Sequence, residues 1–94
     1  MNIHVTKQAA EWYKQELDID SGTIRLFVRY GGSGGRIPGF SIGINFDAPI
    51  SPVTSHTVEQ LNFFIEESDA WYFEGSDIHI TMDEEINEPR FAYH

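Results

Sequence analysis

The chain contains no cysteine among its 94 residues. That absence excludes disulfides, thiolate nucleophiles and thiolate-ligated metal centres. Basic charge is scarce too: 6 Lys and Arg stand against 15 Asp and Glu, a formal net charge of −9. A phosphate backbone or an anionic bilayer surface would be repelled by such a field, so neither nucleic acid nor membrane is an expected partner. No apolar run approaches the roughly 20 residues that a membrane-crossing helix needs. The N-terminus, MNIHVTKQAAEW, has neither a basic start nor a long apolar block. No secretory signal is therefore expected, and the expected location is the cytosol.

What is present is enough to fold. A hydrophobic content of 40%, with 14% aromatic residues, belongs to globular rather than disordered chains. A length of 94 residues predicts a single domain spanning 1–94 with one modest core.

Glycine is concentrated in one place. Five of the eight fall between Gly31 and Gly39, in RYGGSGGRIPGF, with a strand pattern on either side. Before the loop, Ile24, Leu26, Val28 and Tyr30 alternate with Thr23, Arg25, Phe27 and Arg29. After it, Phe40, Ile42, Ile44 and Phe46 alternate with Ser41, Gly43 and Asn45. Asn2 to Val5 reads as an opening strand, and Thr6 stands where a helix N-cap belongs. The helix over Lys7 to Leu17 should pack through Trp12, Tyr13 and Leu17.

Pro49 and Pro52 predict a loop from Asp47 to Pro52. Beyond it Val58, Leu61, Phe64 and Ile65 are spaced for a helix, yet Asn62–Ile65 also suits a buried strand, and periodicity leaves both open. Ala70 to Phe73 suggests one aromatic helical turn stopped by Gly75. Asp77 to Met82 alternates as a strand, and Pro89 places the last segment at an edge or tail. The sum is an α+β domain, predominantly β, with about six strands in mixed or antiparallel sheets and one N-terminal helix.

Chemistry is harder to find. The glycine loop lacks the lysine-serine pair of a phosphate-binding P-loop and runs into a strand, not a helix. Arg29 and Arg36 bracket it, so Arg29, Gly31, Gly32, Ser33, Gly34, Gly35 and Arg36 form the candidate binding turn for a small anion or a partner. An enzyme acting on a small acidic substrate between those arginines is the weakest reading, since no nucleophile-elbow serine is present. Asp77, His79 and Asp83 share one strand face and are the alternative site for a divalent cation. The aromatic residues are expected to be core, and any left exposed would point to a protein interface.

The order of elements, and the phrases IHVTKQAAEWYKQEL, GTIRLFVRYGG…GFSIGINF and NFFIEESDAWYFEGSDIHI, resemble the HesB/IscA family, the A-type iron–sulfur carriers. The resemblance implies a HesB-like fold and makes Asn62–Ile65 a strand. The cluster-ligating cysteines of those carriers are all missing, so the implied relatives are short, cysteine-free HesB-like proteins of Gram-positive bacteria. The implied function is a non-enzymatic binding or adaptor module related to iron–sulfur cluster biogenesis, with no cofactor, a protein partner and possible homo-oligomers. A weak iron or divalent-cation binder is the alternative.

Overall fold

Alternating apolar side chains lay down two sheets, and small helical residues let a helix close on them. The computed structural model describes residues 1–32 and 36–94. Among the described residues there are seven strands: β1 (Ile3–Val5), β2 (Gly22–Tyr30), β3 (Phe40–Phe46), β4 (Pro52–Val58), β5 (Leu61–Glu66), β6 (Ile78–Asp83) and β7 (Glu88–Tyr93). One sheet has the order β1-β6-β7, the other β3-β2-β5-β4, and each contains one parallel pair, β1 with β6 and β2 with β5. Helix α1 is Lys7–Leu17; a 3-10 turn at Glu67–Asp69 leads into the single-turn helix α2, Ala70–Phe73. The described residues are thus mostly β with two short helices. No helix among the described residues is long and apolar enough to cross a membrane.

Two expectations about elements need correcting. A seventh strand, β4, lies in PVTSHTV, where only β-branched residues signal a strand and no clean polar–apolar alternation exists. It turns into β5 through Glu59 and Gln60, both at positive φ (51° and 68°), the twist a two-residue hairpin requires. Segment 61–66 is a strand, as expected. Helix α1, however, buries Ala9, Ala10 and Tyr13, while Leu17 stays exposed. Two alanines let the helix axis approach the sheet closely, and Tyr13 then meets Phe63 edge-on at 5.8 Å. The cap is where the sequence puts it: Thr6 Oγ1 accepts the Ala9 N–H at 3.2 Å.

The core runs between the sheets through Ile3, Val5, Ile24, Leu26, Leu61, Phe63, Ile65, Tyr72, Phe73, Ile78 and Ile80. Strand β5 is buried on both faces, with Phe63, Phe64 and Ile65 all inaccessible. Strand β2 pairs with β3 along Ile24–Tyr30 but with β5 only from Gly22 to Arg25. Beyond Arg25 the chain of β5 has turned away into the 3-10 turn, which leaves the Val28 N–H without a ladder partner. Asp69 Oδ1 accepts it at 3.3 Å, while Asp69 Oδ2 receives Arg25 at 2.8 Å. One carboxylate so anchors α2 to the middle of β2.

A second carboxylate fixes the proline loop. Glu66, at the end of β5, accepts the N–H groups of Ile50 (2.9 Å) and Ser51 (2.8 Å). These two backbone donors, ahead of the opposing desolvation, hold its carboxyl below the ordinary value of 4.5. A group whose folded value is depressed stabilises the fold above its unfolded value and loses that contribution as pH falls through the folded one. Glu66→Gln should therefore be less stable than the natural chain at neutral pH, with the gap closing as pH falls below the ordinary value of 4.5 and through the lower folded one. Urea unfolding at several pH values checks this. A gap that stays constant into acid would show that the charge of Glu66 is irrelevant.

Candidate functional site

The β2–β3 hairpin ends in an aromatic pair of which one ring, Phe40, packs against the core and the other, Tyr30, does not. Antiparallel register sets Tyr30, the last residue of β2, opposite Phe40, the first of β3, with ring centroids 5.0 Å apart. Phe40 continues to Trp71 on α2 in an edge-to-face contact at 5.7 Å. Tyr30 is 88% exposed and Trp71 54% exposed, so these two rings face outward, while Phe40 between them is packed against the core. Edge-to-face and tilted ring pairs hold one another rigid, which lowers the entropy lost when a partner covers them.

Arg36 and Ile37, which lead out of the glycine loop, lie against the same helix. The ends of the loop are closed by the Gly31 N–H donating to Gly39 O at 2.8 Å. Gly31 and Gly39 both have φ near +90°, a region that only glycine enters cheaply. Tyr72 is fully buried, and its hydroxyl accepts the backbone N–H groups of Arg36 and Ile37. Arg36 Nε donates to Tyr72 O at 2.7 Å, and its guanidinium lies 5.7 Å from the Tyr72 ring centre and 3.5 Å from Glu74. Tyr72 thus pins the second half of the loop onto α2, beside Trp71.

Of the residues predicted for the binding turn, Ser33, Gly34 and Gly35 lie outside the described residues. Gly31 and Gly32 sit at the exposed hairpin end. The two arginines do not converge: Arg36 is tied to Tyr72 and Glu74, whereas Arg29 lines a groove with Glu16 and Glu88. An anion clasped between them finds no support in that arrangement.

The predicted cation trio is also divided. Asp83 pairs with Arg90 at 2.7 Å, at the far end of β6 from Asp77 and His79. Asp77 and His79 do come together, and with His4 they place one donor atom each within 4.8 Å. All four histidines in fact gather there. His4 stacks on His79 (4.6 Å, 18°), His94 meets His79 edge-on at 4.7 Å, and His56 lies 6.3 Å from His4. Asp77 is already engaged, however: it accepts the Asn2 N–H at 2.9 Å and lies 3.9 Å from the N-terminal amine. With His56 Nδ1 hydrogen-bonded to Ile3 O at 2.6 Å, the group ties β1 to β6 on one side and to β4 on the other. A metal-binding role gains no support from that role as a tie.

Sequence reasoning missed the exposure of Tyr30 and Trp71. The hairpin register alone, read from the matched alternation on both sides of the loop, would have paired Tyr30 with Phe40. Nothing in the sequence brings Trp71 to them.

No family model and no solved structure matches the chain. Curated proteins do. A Bacillus subtilis protein named pyruvate dehydrogenase inhibitor is 44% identical over 94 residues, covering 99% of each chain. An uncharacterised protein of Staphylococcus epidermidis is 37% identical over 98 residues, covering 99% of this chain and 97% of its own. One from Staphylococcus saprophyticus is 33% identical, covering 98% of each. These matches correct the HesB/IscA resemblance, and with it the link to iron–sulfur cluster biogenesis and the cation-binding alternative. The likeness lay in an order of strand, helix, hairpin and aromatic turn. Short connections and fixed handedness leave small α+β chains few such orders, so unrelated chains share them. Matched residue by residue along nearly its whole length, the chain belongs to the family that includes the Bacillus subtilis pyruvate dehydrogenase inhibitor and its uncharacterised staphylococcal relatives.

Proposed function

We propose that this chain is a non-catalytic cytosolic inhibitor that binds pyruvate dehydrogenase through the aromatic end of its β2–β3 hairpin. The observation that carries the reading is the exposure of Tyr30 and Trp71, joined through the core-packed Phe40, with Arg36 over the neighbouring Tyr72. Tyrosine, tryptophan and arginine are the residues that most often dominate binding energy at protein interfaces. The name of the Bacillus relative supplies the identity of the partner. Helix α2 and the loop, joined through Tyr72, present the cluster already ordered, so little conformational freedom remains to be lost on binding.

Steady-state assays of the purified pyruvate dehydrogenase complex with added chain test the reading. The natural chain should lower the rate. Trp71→Ala should raise the half-inhibiting concentration about 30-fold, the equivalent of about 2 kcal/mol for one hot-spot side chain. His79→Ala, on the histidine cluster, should change it less than about twofold. Absence of inhibition by the natural chain sinks the function; undiminished inhibition by Trp71→Ala relocates the docking surface.

A further inference from the structure

Strand β3 is the open edge of its sheet, so alternate N–H and C=O groups along it have no ladder partner. Natural edges are commonly blunted by lysine, proline or inward charge, but β3 reads FSIGINF and contains none of these. The contrast with other edges is direct. Strand β4 begins at Pro52 and is tied to β1 through His56, and β7 carries Glu88, Pro89 and Arg90.

Beside β3 runs a groove of about 580 Å³, bounded by α1 and the start of β7. Its apolar wall is made by Trp12, Leu17, Ile42 and Ile44, and the two isoleucines, packed against the core, keep part of their surface open to the groove. Glu16, Glu88 and Arg29 stand on its rim, and none of the three is in an ion pair among the described residues. Two carboxylates against one guanidinium leave the rim negative, within a chain of charge −9.

We infer that β3 takes an extended segment of the partner by strand addition, a segment that alternates apolar side chains, directed into the groove, with basic ones. Main-chain hydrogen bonds to the open edge supply the affinity. The period of two sends every second side chain against Ile42, Ile44 and Trp12. Lysine or arginine at the intervening positions, which leave the sheet on the other face, answers the overall charge of −9. A second copy of this chain fits worse, because it brings a further −9 to the same place. The inference rests on the reading of the protein as a partner-binding inhibitor, and extends the contact from the aromatic end along the strand that Phe40 begins.

The test uses a blocked octapeptide of alternating lysine and valine, titrated into the whole chain and followed by NMR. Binding should slow amide exchange along β3. It should weaken at least tenfold with Ile44→Lys, with glutamate in place of the peptide's lysines, and with N-methylation of alternate peptide amides. An unaffected N-methylated peptide would mean groove binding without strand addition and would overturn the inference, as would absence of binding. A chain dimer in solution that Ile44→Lys dissociates would overturn it in favour of self-pairing. In the enzyme assay, inhibition that survives Ile44→Lys would remove the groove from the interface and leave the inhibitor reading intact. Absence of inhibition by the natural chain would remove that reading, and the peptide result would still decide the edge.

Discussion

Replacement of Phe63 by alanine should cost about 3–5 kcal/mol of folding free energy, the range for deleting a fully buried phenylalanine from a packed core. Phe63 is inaccessible to solvent, sits opposite Ile24 in the parallel pair of β2 and β5, and receives the Tyr13 ring from α1. It is the residue at which helix, central strand and second strand meet, so the cavity has three rigid walls and little scope to collapse. Domains of this size hold about 5–10 kcal/mol in total, and the variant should therefore be marginal at physiological temperature. Urea unfolding measures it: the midpoint should fall sharply with an unchanged slope, whereas Phe63→Leu should lose about 1 kcal/mol. A loss below about 1 kcal/mol for alanine would mean that β5 is not the centre of the core.

Much of this centre is legible without coordinates. Period-two alternation places β2 and β3, the Thr6 cap fixes the start of α1, and alternate isoleucines define β6. Each is a local signal, written within a few residues of where it acts. The features that failed to show are those assembled from distant segments. Four histidines at positions 4, 56, 79 and 94 meet only because β1 pairs with β6, β4 leans on β1 and the C-terminus follows β7 back. Strand β4 escapes because one of its faces is exposed and the other, with Thr54, His56 and Val58, is only partly covered, so little apolar character is demanded of it. Trp71 escapes for another reason. In Ala70-Trp71-Tyr72-Phe73 three aromatics look alike, and the docking of a single helical turn decides that Tyr72 and Phe73 go inward and Trp71 outward.

That docking rests on Asp69, and its removal is the other change expected to be severe. Asp69→Ala deletes two interactions at once: the pair with Arg25 at 2.8 Å and the acceptor for the Val28 N–H. Arg25 is largely covered, and its Nε is already buried without a partner, so the guanidinium would be left with no charged neighbour at hydrogen-bond distance among the described residues. Breaking a buried pair by taking one member costs about 3–5 kcal/mol. The partial exposure of Arg25 places this case at the low end, near 3 kcal/mol. Asp69→Asn keeps the shape but only one of the two acceptor oxygens, sets a donor NH2 against a donor at the other, and drops the charge, so more than half of the loss is expected from it. The decisive variant is the double change Asp69→Ala with Arg25→Met. If the penalty is the stranded cation, the double variant should be more stable than Asp69→Ala alone by at least 1 kcal/mol, because a methionine stem fills the same space without a charge to solvate. If instead the Val28 N–H and the anchoring of α2 dominate, Arg25→Met will add its own loss to that of Asp69→Ala. The sign of the coupling energy therefore separates the two halves of what this one carboxylate does, and so tells whether Trp71 is held in place by charge or by the backbone.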